Sequence, residues 1–253
     1  GDGGPRGGPG GRGKMCAAIQ RGIGRESATR EPSVSHIATT SRASLALREE
    51  IVYYCRESVR CGLNFNTQGN ISVRLPRGAI VITPSGVRYD HLRPEDLLVV
   101  RMDGTVIEPG AGLEPSTELA VHLAHYRHRP DVKAIVHTES TYVNVLGCLG
   151  QPIEPVLLNM VLYAKGAIPV MPFEFSKSAE FGVRSARTMG SDVNAVVWAN
   201  HGLLAVGPSL ELAFKVAVAV EENAEVLYRA RQLGEPRVLD LAEIVVPAGA
   251  CLA

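Results

Sequence analysis

Short β-type runs separated by turn residues constrain the fold of this chain more than any other feature. The first group of runs occupies residues 71–75, 79–83, 97–101 and 105–107. Asp103 and Gly104 lie between the last two, and an Asp-Gly pair between apolar runs is a strong hairpin signal. Neighbouring short runs with tight connections pair with each other, so the sequence predicts an antiparallel meander.

Helical patterns surround and follow this meander. Apolar residues recur with the helical period over residues 45–59. Later helical patterns occupy residues 116–128, 140–149 and 209–232. Ser116 is expected to cap the first of these, since a serine hydroxyl can accept a free backbone N–H. Further β-type runs lie at residues 132–137, 168–171 and 195–199. Strands interleaved with helices predict an α/β fold.

The two ends of the chain have a different composition. Residues 1–14 are dominated by glycine, proline and arginine, which cannot bury enough apolar surface to offset the entropy of ordering. We therefore expect a flexible tail at 1–40, a folded domain at 41–234 and a C-terminal tail at 235–253.

Charge and hydropathy exclude several classes of partner. Lys+Arg and Asp+Glu both number 26, so no overall field attracts nucleic acid. The sequence has no run of the roughly 20 apolar residues that a membrane helix needs, and no apolar signal-peptide core. We expect a cytoplasmic protein with neither nucleic acid nor membrane as a partner.

Histidines and carboxylates follow two of the β-type runs. His137 and Glu139 are two positions apart at the end of a run, so their side chains share a face and could bind one ion. His201 follows another run, and Gly202 after it would let a ligand approach the backbone. Such a donor set suits Mn²⁺, Fe²⁺, Co²⁺ or Zn²⁺. Histidines that are simply hydrogen-bonded at strand ends would give the same spacing, and spacing does not choose between these interpretations.

A third cluster lies on one predicted helix. Glu118, His122 and His125 are spaced at i, i+4 and i+7, which brings them to the same helix face. They could form a separate ion site, but the pattern is more typical of a solvated face, and that is our prediction.

Turns rich in glycine and hydroxyl groups form another set. They occupy residues 67–70, 83–86 and 115–117. Each alone is an ordinary turn. Together, their backbone N–H groups, their hydroxyls and a helix N-terminus near Ser116 could bind a phosphate without lysine or arginine.

Five motifs in a fixed order give the chain a resemblance to the class II aldolase/adducin family over about residues 45 to 232. They are T-x-G-N-I-S at 67–72, I-T-P-S-G at 82–86, P-S-T-E-L at 115–119, R-P-D-V-K-A-I-V-H at 129–137 and A-N-H-G-L-L-A-V-G at 199–207. The resemblance implies a single α/β/α three-layer domain with a mainly antiparallel central sheet. It also implies a homotetramer with active sites between subunits.

The resemblance assigns a role to each matching residue. The phosphate-binding positions are Thr67, Gly69, Asn70, Ser85, Gly86, Ser116 and Thr117. Glu118 matches the catalytic acid/base, and His137 and His201 match two of three metal-binding histidines. Glu139 stands where the family has its third histidine, and we predict that it is the third ligand of one divalent metal ion per subunit. A carboxylate there lowers the charge of the site and favours harder ions such as Mn²⁺.

A second departure concerns the family tyrosine that protonates the leaving aldehyde. Leu158 or Asn159 stands near the expected place, and Tyr163 is the nearest phenol in the sequence.

The activity that the resemblance implies is metal-dependent cleavage of a ketose 1-phosphate into dihydroxyacetone phosphate and an aldehyde. Three sister enediolate chemistries are alternatives: 4-epimerisation of a pentulose phosphate, dehydration of methylthioribulose phosphate, and decarboxylation. A non-catalytic, adducin-like interaction module is a further alternative, which the Glu139 replacement keeps open.

Overall fold

A computed structural model describes the backbone of residues 34–175, 177–242 and 244, and side chains from residue 45 onward. The chain divides into two compact units, Gly1–Thr39 and Thr40–Ala253. Residues 34–39 are helical, and the rest of the expected N-terminal tail lies outside the described residues. The domain bounds predicted from composition therefore stay predictions.

The helices are α1 (Val34–Arg60), α2 (Leu119–His128), α3 (Thr141–Gly147), α4 (Ala179–Met189) and α5 (Leu210–Arg231). A short 3₁₀ turn (Pro94–Asp96) and a π-helical turn (Met160–Ala164) interrupt the loops. The strands are β1 (Asn70–Leu75), β2 (Ala79–Ile82), β3 (Leu98–Arg101), β4 (Val106–Glu108), β5 (Ala134–Thr138), β6 (Val170–Met171), β7 (Ala195–Trp198) and β8 (Gly202–Gly207).

These strands form one sheet in the order β4-β3-β2-β1-β5-β8-β7-β6. All neighbouring pairs are antiparallel except β6 and β7, which are parallel. The meander β1 to β4 is confirmed, and so is the mainly antiparallel sheet. The central strands β1, β5 and β8 bring residues from distant motifs side by side, for example Asn70 opposite His137.

Helices cover both faces of the sheet, as the three-layer prediction requires. Successive residues of a strand point to opposite faces, so Val136 packs in one apolar cluster with α1, α3 and α5. Its neighbour Ile135 packs in the other cluster, with α2 and α4. The strand runs are apolar on both faces because each face is covered by helices.

Two elements are not predicted by the sequence patterns. The strand β8 is buried along its whole length, so it shows no alternation of polar and apolar residues. The helix α4 begins after Ser178, whose side chain accepts a hydrogen bond from the Phe181 amide. The described part of the chain contains no helix with the length and apolarity needed to cross a bilayer.

Candidate active site

His137 is oriented by the backbone of the neighbouring strand. It lies in β5, fully buried, and its Nδ1 donates a hydrogen bond to the Leu203 carbonyl oxygen at 2.9 Å. With the proton on Nδ1, the other nitrogen carries the lone pair. Among the described residues, His137 Nε2 has no hydrogen-bond partner. A buried acceptor left without a donor is costly unless it binds something.

Glu118 lies between two imidazoles. Its Oε2 is 3.3 Å from His137 Nε2, and its Oε1 is 3.3 Å from His201 Nε2. Ligand atoms of these three residues all lie within 4.8 Å of one another. Glu139 is slightly farther away, with its Oε1 4.0 Å from His137 Nε2 and 3.9 Å from His201 Nε2.

The electrostatics favour an ionised Glu118. Burial by itself would raise the pKa of this carboxyl group, but His137, His201 and the Asn70 amide together hold the pKa well below its ordinary value. Burial lowers the pKa of His137, which favours the neutral imidazole. For His201, burial lowers the pKa but the contact with Glu118 outweighs it, and the net shift is upward.

These donors fit a divalent metal ion. The described residues bring together an ionised carboxylate, a neutral imidazole whose buried lone pair lacks a donor, and a second imidazole. Two nitrogen ligands with carboxylate oxygen suit Mn²⁺, Fe²⁺, Co²⁺ and Zn²⁺. The fit is supported by the way His137 is held, since metal-binding histidines usually donate their other N–H to a carbonyl or carboxylate.

Gly202 is required by strand packing. A Cβ atom at this position would lie 2.3 Å from the Thr138 carbonyl oxygen and 3.1 Å from His137 Cε1. The space that a side chain would need is therefore filled by β5, and the approach of a ligand to this backbone stays a prediction. Gly202 allows β8 to approach the strand that carries His137.

An aromatic wall stands behind the two imidazoles. The Trp198 ring centroid is 4.9 Å from that of His137 and 5.2 Å from that of His201. The indole N–H donates to Ser185 Oγ at 2.8 Å, and Phe181 packs against the indole from the other side. This wall keeps water away from one side of the histidines.

The solvated face predicted for the α2 cluster is also wrong. Glu118, His122 and His125 are all buried, because α2 packs against both the sheet and α4. His122 Nε2 lies 2.5 Å from Asn70 Oδ1, and His125 Nε2 lies 2.9 Å from Ser185 Oγ. The spacing alone could not reveal which element covers this face.

The three hydroxyl-rich turns are neighbours around Glu118. Pro84 and Pro115 form an isolated β-bridge, and the Ser116 amide donates to the Thr83 carbonyl oxygen at 3.0 Å. Ser116 Oγ accepts a hydrogen bond from the Glu118 amide at 3.2 Å. The N-cap residue of α2 is Glu118, so Ser116 is not the expected cap. The third turn is joined to them by Asn70 Nδ2, which donates to Glu118 Oε2 at 2.8 Å.

Thr67, Ser85, Gly86 and Thr117 are exposed on these turns, whereas Gly69 is packed. Gly69 has φ of +73°, and a Cβ there would lie 2.4 Å from Asn64 Nδ2 and 2.6 Å from the His137 carbonyl oxygen. This packing explains the glycine without any ligand.

The chain matches the family model described as "Class II Aldolase and Adducin N-terminal domain" over residues 49–228. The chain belongs to the class II aldolase and adducin family. It is 36% identical over 193 residues to a 5-deoxy-D-ribulose 1-phosphate aldolase of Bacillus thuringiensis serovar kurstaki, which covers 76% of this chain and 89% of that protein.

Two further comparisons agree with the family assignment. The chain is 38% identical over 201 residues to a 5-methylthioribulose-1-phosphate/5-deoxyribulose-1-phosphate aldolase of Rhodospirillum rubrum, covering 79% of this chain and 88% of that protein. A solved structure of L-fuculose 1-phosphate aldolase superposes with a TM-score of 0.72 at 34% identity, covering 78% of this chain and 91% of that one.

In this class II aldolase family member, Tyr163 lies among residues of α5 and the loop before β7. Its ring is 6.0 Å from Lys215 Nζ, and its carbonyl oxygen accepts from Asn194 Nδ2 at 2.9 Å. None of these contacts involves Glu118, His137 or His201, so the described contacts do not place Tyr163 beside the site.

Sequence reasoning missed several residues of this site, among them Asn64 and Lys177. Asn64 is buried, and its Oδ1 accepts a hydrogen bond from the Glu139 amide at 3.0 Å. Lys177 Nζ donates to Thr117 Oγ1 at 2.7 Å, which puts a cation against a turn expected to bind phosphate without one. Lys177 comes from the loop before α4, and no motif in the sequence links that loop to residue 117.

Proposed function

We propose that this chain is a metal-dependent class II sugar-phosphate aldolase, a carbon–carbon lyase that cleaves a ketose 1-phosphate to dihydroxyacetone phosphate and an aldehyde. The observation that carries the proposal is the position of Glu118 between His137 and His201, beside a buried His137 Nε2 that lacks a partner among the described residues. The names of the relatives support the same chemistry.

The proposed ligands of one divalent ion per subunit are His137, His201 and Glu139, with Glu118 close enough to join them. Mn²⁺, Zn²⁺, Co²⁺ and Fe²⁺ are the candidate ions. When bound, such an ion supplies Lewis acidity that stabilises negative charge developing on substrate oxygens.

Glu118 is the proposed acid/base. Its carboxylate is buried at the centre of the cluster, between the two imidazoles, and its ionised form is the one that accepts a proton. In cleavage, the hydroxyl group on the carbon that becomes the aldehyde loses a proton as the carbon–carbon bond breaks. Glu118 then delivers a proton to the enediolate carbon that becomes part of dihydroxyacetone phosphate. Trp198 excludes water from one side, which limits competing proton exchange.

The substrate phosphate is proposed to bind at the three turns. Exposed Thr67, Ser85 and Thr117 supply hydroxyl donors, and exposed Gly86 supplies a backbone N–H. The Ser116 amide already donates to the Thr83 carbonyl oxygen, so Ser116 would contribute its hydroxyl group. Lys177 adds a positive charge at the same place. Asn70 was predicted as a phosphate ligand, but its amide oxygen and nitrogen already contact His122 and Glu118, so we propose that it mainly orients those residues.

A cytoplasmic homotetramer remains part of the proposal. Phe173 and Phe175 are 61% and 90% exposed on the loop after β6, and side chains of this kind are commonly covered by subunit contacts. Light scattering of the purified protein measures the assembly directly, and a monomer at micromolar concentration would contradict it.

The function is tested by incubating metal-reconstituted protein with a panel of ketose 1-phosphates and ketose 5-phosphates. The panel includes 5-deoxyribulose, 5-methylthioribulose and fuculose 1-phosphates, which the names of the relatives suggest. Release of dihydroxyacetone phosphate is the expected result, and the His201→Ala protein is the control. Carbon dioxide, a dehydrated product or an epimer in its place would assign one of the sister chemistries, and no reaction at all would favour the adducin-like module.

A further inference from the structure

A chain of buried hydrogen bonds leads from the proposed acid/base into α2 and β1. Asn70 Nδ2 donates to Glu118 Oε2 at 2.8 Å, and Asn70 Oδ1 lies 2.5 Å from His122 Nε2. On the other side of the imidazole, His122 Nδ1 lies 2.6 Å from Ser72 Oγ. All four side chains are buried. Glu118 is the N-cap of α2 and His122 lies four residues later, so the two side chains face the same way.

The direction of each hydrogen bond follows from the orientation of the Asn70 amide. Its nitrogen donates to Glu118 Oε2, so its oxygen faces His122. That oxygen only accepts, so His122 must carry its proton on Nε2. A neutral imidazole then accepts on Nδ1, and Ser72 Oγ is its donor. Burial lowers the pKa of His122 to about 3, which agrees with a neutral ring.

The end of the chain is also held in place. The Tyr126 hydroxyl donates to the Ser72 carbonyl oxygen at 3.0 Å and lies 2.9 Å from Ser72 Oγ. Arg74 stacks over the Tyr126 ring, with its guanidinium carbon 4.8 Å from the ring centroid. Ser72 and Arg74 belong to β1, so the sheet itself anchors the hydrogen-bond chain.

We propose that His122 is a positioning residue for the reaction, which acts through Asn70 to hold the Glu118 carboxylate in its working orientation. The proposal rests on the role of Glu118 in the proposed function. By directing the Asn70 N–H to Oε2, His122 fixes the orientation of the carboxylate, with Oε1 turned toward His201. His122 itself touches neither substrate nor metal.

The chain offers a matched comparison on the same helix. His125 is equally buried and three residues away, but it bonds to Ser185 toward α4, and its Nδ1 has no partner among the described residues. A histidine that served only to fill the core would behave like His125. His122 differs because both of its nitrogens are used in a directed chain that ends on Glu118.

The first test compares His122→Asn, His122→Gln and His125→Gln in kinetics and in Mn²⁺ titration by calorimetry. Glutamine places an N–H near the position of the imidazole Nε2 and can still donate to Asn70, whereas asparagine is too short. We expect His122→Asn to lower kcat by roughly 10- to 100-fold with little change in KM. Because Glu118 is close enough to join the ligands of the ion, Mn²⁺ affinity should fall by a similar factor. His122→Gln should recover most of both losses, and His125→Gln should keep parental kcat.

The second test reads the histidine tautomer by ¹⁵N NMR in metal-free protein. The expected spectrum shows His122 protonated on Nε2 alone at neutral pH, and Asn70→Ala should weaken that proton's hydrogen bond and shift its resonance upfield. A proton on Nδ1, or a charged ring, would overturn the proposal. So would parental Mn²⁺ affinity in folded His122→Asn, or a glutamine variant no better than the asparagine variant.

The outcomes separate this inference from the proposed function. If the parent protein releases no dihydroxyacetone phosphate from any ketose 1-phosphate, the aldolase assignment fails. The Mn²⁺ titration and the tautomer still decide whether His122 positions Glu118.

Discussion

The backbone amide of Glu139 donates a hydrogen bond to Asn64 Oδ1, with a nitrogen-to-oxygen distance of 3.0 Å. Asn64 is in turn held by Ser58 of α1, whose Oγ accepts from its Nδ2 at 3.2 Å. The end of β5 is thereby tied to α1, and the Glu139 side chain starts from a fixed backbone position. A fixed backbone favours Glu139 as a metal ligand, because a side chain on a mobile loop would lose more entropy on binding an ion.

Replacement of Glu139 tests that assignment. We expect Glu139→Ala to lower metal occupancy and turnover together, because a carboxylate oxygen 3.9 to 4.0 Å from both imidazole nitrogens is lost. Glu139→His should retain metal and shift the preference toward Zn²⁺. Elemental analysis after dialysis against equal Mn²⁺ and Zn²⁺ measures both effects. Exposed Glu222 on α5 supplies the control, and Glu139→Ala protein with as much metal as Glu222→Ala protein would refute the assignment.

Replacement of Lys177 tests the proposed phosphate site. Its ammonium group lies 2.7 Å from Thr117 Oγ1, so Lys177→Met removes the positive charge beside the three turns. A charge-assisted hydrogen bond contributes about 1.5 kcal/mol at the low end of its range, which corresponds to about a tenfold rise in KM for the phosphorylated substrate. Steady-state kinetics give KM, and Lys133→Met, in the exposed residue just before β5, is the control. An unchanged KM, or equal turnover of the dephosphorylated sugar, would place phosphate binding elsewhere.

Gly202 tests how closely β8 must approach β5. In Gly202→Ala the new methyl group would lie 2.3 Å from the Thr138 carbonyl oxygen and 3.1 Å from the His137 ring. Such a clash in a packed sheet should lower the free energy of unfolding by about 1 to 3 kcal/mol, and should displace His137. Thermal unfolding measures the loss. Gly234→Ala is the matched control, since its Cβ would meet nothing within 4 Å; equal melting temperatures for the two variants would contradict the packing argument.

The buried His125 should make the free energy of unfolding depend on pH. Burial lowers its pKa in the folded state to about 3, from an ordinary value of 6.5. Below pH 6.5 the unfolded state therefore binds more protons than the folded state. The stability that depends on a neutral His125 is fully present above pH 6.5 and is lost as the pH falls toward 3. Urea unfolding between pH 7.5 and 4.5 should show a declining free energy of unfolding. The slope in His125→Gln should be shallower by up to about 1.4 kcal/mol per pH unit, and identical slopes would show that His125 is not buried as a neutral ring.

The N-terminal segment offers a test of the domain bounds. Described apolar contacts of α1 with the core begin near Leu47 and Ile51, so a chain that starts at Thr40 should keep its fold and its turnover. A chain that starts at Tyr53 removes both residues and should fail to fold. Circular dichroism and the dihydroxyacetone phosphate assay report the two properties, and an insoluble or inactive Thr40 chain would mean that the first unit has a role in the enzyme.

Local patterns predicted most of the elements. The meander, the strand that carries His137 and the long helix α5 all have the spacing of their structural type, and each lies close to its expected bounds. The patterns failed at β8 and α4. A strand buried on both faces has no alternation of polar and apolar residues. The buried face of α4 includes Gly182, Ser185 and Ala186, so few large apolar residues mark it in the sequence.

The sequence by itself determined which chemical groups are available: Glu118, His137, Glu139 and His201, the hydroxyl-rich turns, and the ordered motifs that indicate the family. Only the tertiary structure decided how they are used. It buried the Glu118 face of α2 against the sheet, brought Asn70 opposite His137, and placed Lys177 on Thr117. These contacts join residues far apart in the chain, so they depend on strand register and on the packing of α2 and α4, which no local pattern of residues specifies.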